Sequence, residues 1–156
     1  MILYTVRELL RASRVLVMGI LLGVAVISAA QAEKLNAPGG VAIKGYDPVA
    51  YFVDGRAVLG VPTFAHRWQD AEWRFASAAN RDLFAADPAK YAPQYGGFCA
   101  YAASKGAIAD TDPTAFGVVG DKLYLNFSHQ ALGLWRQDVP GNIGKADANW
   151  PSLAKK

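Results

Sequence analysis

One thiol and two imidazoles carry the soft-donor chemistry of this chain: Cys99, His66 and His129. Brought together, they would make a Cys/His₂ site for copper(I) or zinc, completed by a carboxylate or water. The same trio could instead supply a thiol nucleophile, with His66 or His129 as its base. Tyr95 and Tyr101 flank Cys99 in the run YGGFCAY at 95–101 and could line a ligand pocket, burying a ring and presenting a hydroxyl. Gly96-Gly97 within that run lets backbone pass close to another strand or a ligand. Each residue also has a plain structural use. A free cysteine is commonly a small buried apolar residue, and a tyrosine commonly straddles the edge of a core.

Several other chemistries are absent from the sequence. There is no C-x-x-C or C-x-x-C-H, no H-E-x-x-H and no G-x-S-x-G. One cysteine excludes a disulfide framework and a four-thiolate zinc site. Asp47, Asp110 and Asp112 read as caps and turn residues, since Asp47 and Asp112 directly precede prolines.

The elements that must position these groups are short. Residues 63–68 alternate Phe64, His66 and Trp68 with Ala65 and Arg67, and Asp70 turns them back into 72–75 as a hairpin. Residues 117–126 make a second hairpin about Gly120-Asp121. Asp47 can cap a helical turn through 49–51, with Pro48 at its first position. Ser77 and Ser128 can cap helices, and Leu83 and Phe84 of the first should face inward. Pro140-Gly141 should end the second, leaving a short helix over 143–148 that delivers Trp150 to the body. Trp68, Trp73, Trp135 and Trp150 are expected to fill the core. Hairpins and helices in runs, without strict βαβ alternation, indicate an α+β class: a single domain of two β-hairpins and several short helices. No internal repeat is visible.

The chain has 156 residues and a formal charge of +3, and its front end differs from the rest. Residues 1–14 carry Arg7, Arg11 and Arg14; residues 15–27 are uncharged and apolar; Ala30-Gln31-Ala32 has the form of a signal-peptidase site. The expectation is a secretory signal peptide over 1–32, cleaved after Ala32, and a periplasmic protein. Residues 33–44 then form a polar lead-in and 45–153 the domain. Without the signal segment the charge is only +1, which lacks the footprint of a nucleic-acid binder.

The motifs GYDPVAYF at 45–52 and FASAANRDLFAADPAKY at 75–91 resemble a YHS domain. YGGFCAY at 95–101, KLYLN at 122–126 and ADANWP at 146–151 are similar to the exported, stand-alone branch of that family. The family occurs alone and fused to metal-transporting ATPases. Its compact members carry cysteines at positions that here are Ala50, Ala76 and Asn80. The family's thiolate metal site therefore cannot be carried over, and if this chain binds a metal, Cys99, His66 and His129 must be the ligands.

Three functions follow as expectations. The first is an exported binding or accessory protein handling a transition metal such as copper. The second is an interaction module for another exported or membrane protein, and the third a thiol-dependent enzyme using Cys99.

Overall fold

Both hairpins and both serine caps are present in the computed structural model, which describes residues 34–155. The expected signal segment lies outside those residues. The described chain is mixed α+β, with two antiparallel two-stranded sheets and six helices. In order these are α1 (Ala50–Val53), β1 (Val61–Trp68), β2 (Ala71–Phe75), α2 (Ala78–Ala86) and α3 (Pro88–Tyr91). Then come α4 (Ala100–Ser104), β3 (Asp112–Val119), β4 (Lys122–Asn126), α5 (His129–Arg136) and α6 (Val139–Leu153). Among the described residues no helix is long and apolar enough to cross a membrane.

Local chemistry explains the boundaries. The Ser77 and Ser128 hydroxyls accept the backbone N–H groups of Asn80 and Ala131, at 3.1 and 3.2 Å, and so start α2 and α5. Asp87 and Asp138 do the same for α3 and α6 through Lys90 and Gly141. The last helix corrects the expectation of a short segment at 143–148. Pro140 lies in the first turn of α6, where a missing N–H costs nothing, so it opens the helix and does not break it. The two hairpin turns each place two residues at positive φ: Gln69 and Asp70 at 49° and 60°, Gly120 and Asp121 at 56° and 57°. That is the twist a two-residue turn between right-twisted strands requires.

The described chain contains a repeat that the sequence hides. β1 pairs with β2 through Val61↔Phe75, a bulge, then Ala65↔Arg74. β3 pairs with β4 through Asp112↔Asn126, a bulge, then Phe116↔Leu125, the same register 51 positions later. Ahead of each hairpin stands a run of three left-handed residues, Ile43-Lys44-Gly45 and Tyr95-Gly96-Gly97, with φ of 48°, 52°, 85° and 55°, 58°, 78°. The lead-in strands match as well, in the parallel bridges Val41↔Glu72 and Pro93↔Leu123. The unit is therefore a left-handed turn, a short helix, a bulged hairpin, a serine-capped helix and an aspartate-capped helix, made twice.

Each half has its aromatic pair. Trp73 packs on Phe84 at 4.9 Å in the first, and Tyr124 on Trp135 at 5.3 Å in the second. Two buried clusters form around them. Their shared wall is β4, which sends Leu123 and Leu125 into the first cluster and Tyr124 into the second. A strand covered on both faces reads as a continuous apolar run, and Leu123-Tyr124-Leu125 does. By contrast β2 alternates buried Ala71, Trp73 and Phe75 with half-buried Glu72 and Arg74.

Candidate functional site

Cys99 is 1% exposed and sits at the N-cap of α4. Its Sγ accepts the N–H groups of Phe127 at 3.2 Å and Ala102 at 3.4 Å. It lies 3.9 Å from Asn126 Oδ1, to which the thiol can donate. The corresponding residue in the first half is Asp47, also fully buried. Asp47 Oδ1 accepts from the N–H groups of Val49 and Ala50, at 2.8 and 3.3 Å. Its Oδ2 accepts from Ala76 N–H at 2.9 Å and Asn80 Nδ2 at 2.7 Å. The backbone donors correspond, Ala50 to Ala102 and Ala76 to Phe127. Nests shaped alike thus hold a carboxylate in one half and a thiol in the other.

The imidazoles do not join the thiol. Half-buried His66 stands on β1 opposite Trp73, its ring edge-on to Phe84 at 6.1 Å. Exposed His129 opens α5, with Nε2 3.0 Å from Thr114 Oγ1. The Thr114 hydroxyl donates to Asp112 Oδ1 at 2.8 Å, so its one proton is committed and the imidazole Nε2 is the donor. Among the described residues no group of three or more His, Cys, Asp or Glu side chains is placed to hold a metal ion. Cys99, His66 and His129 therefore do not form the Cys/His₂ site expected of them.

Tyr101 is half-buried, with Lys105 Nζ 4.8 Å above its ring and its N–H bonded to Asn126 Oδ1. Tyr95 is placed differently. It helps to line a groove of about 310 Å³ with Trp68 and Gln69 from the first hairpin, Gln94, and Asp147 and Trp150 from α6. The groove brings Tyr95 of the YGGFCAY segment and Trp68 of the first hairpin onto one surface. Cys99, Tyr101 and His66 do not line the groove.

Tyr95 and Trp150 form two walls at 61°, their centroids 5.8 Å apart. The Tyr95 hydroxyl donates to Asp147 Oδ1 at 2.9 Å. Burial first, and then that bond to a carboxylate, hold the phenol above its ordinary range. Among the described residues Asp147 is the one charged residue lining the groove. Sequence reasoning missed it because nothing in the local pattern of α6 links it to Tyr95, and the pairing is purely tertiary.

A second concave surface, about 350 Å³, lies between Lys44, Tyr46, Asp110, Asp112 and Phe127. Lys44 Nζ reaches Asp110 Oδ2 at 2.8 Å and Thr111 O at 2.7 Å. The hydrogen bond from Lys44, then that from Asn36, holds the Asp110 carboxyl at about 2. Its unfolded value is ~3.9, so the pair contributes stability above that pH and loses it as pH falls toward 2. Both side chains are about half exposed, which limits the contribution to under ~1 kcal/mol. Lys44→Ala should raise the Asp110 titration toward the ordinary carboxylate range in a side-chain NMR titration. An unmoved midpoint would show that the ion pair does not set it.

No family model, curated protein or solved structure matches this chain on comparison.

Proposed function

We propose that this chain is an exported, YHS-type accessory domain that binds a basic side chain of a partner polypeptide. The groove between Trp68, Tyr95 and Trp150 would receive it. One observation carries the reading: three aromatic residues and two carboxamides surround a single carboxylate, Asp147. Aromatic faces attract an ammonium or guanidinium group, and a carboxylate at the same site adds the opposite charge. A flexible lysine or arginine stem suits a groove that is open along one side, because its methylenes can lie on the rings.

The positions where compact members of the YHS family carry cysteines are Ala50, Ala76 and Asn80, and all three converge on the Asp47 carboxylate. Ala50 and Ala76 reach it through their backbone N–H groups and Asn80 through its carboxamide, so hydrogen bonds close the site. Transition-metal handling, copper included, and thiol catalysis then rank behind binding, because among the described residues no three His, Cys, Asp or Glu side chains gather into a metal-holding group and neither imidazole is hydrogen-bonded to Cys99.

Titration of the mature protein with a lysine-rich peptide, followed by tryptophan fluorescence, tests the proposal. Binding should be saturable, and Asp147→Asn should weaken it several-fold to about tenfold. An acidic peptide should not bind. Equal affinity for both peptides, or binding indifferent to Asp147→Asn, would overturn the reading. A parallel titration with copper(I) tests the metal alternative directly.

A further inference from the structure

The two nests differ at three positions, and the differences are coordinated. In the first half Val49 N–H bonds to Asp47 Oδ1. Its counterpart, Tyr101 N–H, finds no oxygen on Cys99 and turns to Asn126 Oδ1 at 3.2 Å. Asn126 stands where the first half has Phe75, so a carboxamide has replaced a phenyl ring beside the sulfur. Asn80, whose Nδ2 donates to Asp47, corresponds to Ala131, so the space filled there by a carboxamide meets only a methyl group here. The result is one donor too many. Asn126 is 0% exposed, its Oδ1 lies 3.9 Å from the sulfur, and the Nδ2 of the same carboxamide has no hydrogen-bond partner among the described residues.

A nest that satisfies a carboxylate in one half thus holds, in the other, a single sulfur atom and an unused buried donor. Such a donor is costly to leave unpaired. Two oxygens on the sulfur would supply what is missing. Cysteine sulfinate carries one negative charge on two oxygens borne by the atom next to Cβ, as aspartate does, though about a pyramidal sulfur.

We infer that Cys99 is an oxidative modification site, converted by a hydroperoxide to a sulfinate that occupies its nest as Asp47 occupies the other. In the first step a sulfur lone pair attacks one peroxide oxygen. The S–O bond forms as the O–O bond breaks, and the thiol proton leaves with the departing oxygen as water or alcohol. Sulfur loses two electrons and the peroxide gains them. A second hydroperoxide repeats the exchange on the sulfenic acid, and the sulfinic acid gives its proton to solvent. The Ala102 and Phe127 N–H groups then face oxygens in place of sulfur, and an oxygen acceptor stands beside the carboxamide that carries the unpaired Nδ2. Phe127, whose N–H bonds the sulfur, is itself 60% exposed, so the cover of the nest includes a surface residue.

The test treats the folded mature protein with hydrogen peroxide and follows intact mass, peptide mapping and thermal unfolding. Cys99 should gain two oxygen atoms and stop there, and the oxidised protein should melt a few degrees above the reduced one. Cys99→Asp should melt above both Cys99→Ala and Cys99→Ser. A folded protein that keeps its thiol under peroxide, while the guanidinium-unfolded chain oxidises, would overturn the inference. So would an oxidised form that melts lower than the reduced one, or a Cys99→Asp variant less stable than Cys99→Ala.

Discussion

Asp47→Ala should destabilise the protein by about 3–5 kcal/mol, the scale seen when one partner of a buried polar set is removed. The carboxylate is fully buried and takes four hydrogen bonds, from Val49, Ala50, Ala76 and Asn80. Alanine leaves all four donors without the acceptor that joins them, two of them at the buried Val49 and Ala50. Those donors belong to α1, to the end of β2 and to α2, so the loss falls on the junction of three elements. Asp47→Asn should cost less, because one amide oxygen still accepts while the new NH₂ faces donors. Urea unfolding of the three proteins gives the comparison. A loss below ~1 kcal/mol for Asp47→Ala would show that the donors find other partners.

Phe84→Ala should cost about 3–5 kcal/mol, while its neighbour Leu83→Ala should cost under ~1 kcal/mol. The sequence pattern sends both residues inward. Only Phe84 goes, packing against His66, Trp68, Trp73 and Phe75, and Leu83 is 45% exposed. A nine-residue helix resting on a two-stranded sheet has one narrow inward stripe, and the larger ring takes it. Thermal or chemical denaturation of both variants is sufficient. Similar losses for the two would mean that the cavity at Phe84 collapses, or that Leu83 packs more tightly than its exposure indicates.

What could be read in advance was whatever chemistry acts over a few residues. Ser77, Ser128 and Asp47 cap helices as their types require, and Gly120-Asp121 turns its hairpin. The repeat escaped notice because its core positions changed type. Asp47 answers to Cys99, Trp73 to Tyr124, Phe75 to Asn126 and Phe84 to Trp135, and no comparison by residue identity links such pairs. Most of the residues that did persist have backbone duties, among them Gly45 and Gly97, Pro62 and Pro113, Asp70 and Asp121, Ser77 and Ser128, Asp87 and Asp138. Such types recur in any chain and draw no attention alone. Asp147 and Asn126 were invisible for another reason, since each acquires its role only from a residue far away in sequence.

The strand shared by the two buried clusters has a consequence for how the molecule comes apart. A tandem of similar units commonly behaves as two weakly linked bodies, each able to open while its neighbour stands. Here β4 cannot leave one cluster without stripping the other, because Leu123 and Leu125 line one and Tyr124 the other. The Tyr51 hydroxyl, bonded to Pro113 O at 2.9 Å, adds a buried tie from the first unit to the second. Loss of either unit therefore removes a wall of its twin, and the pair stands or falls as one all-or-none thermodynamic body.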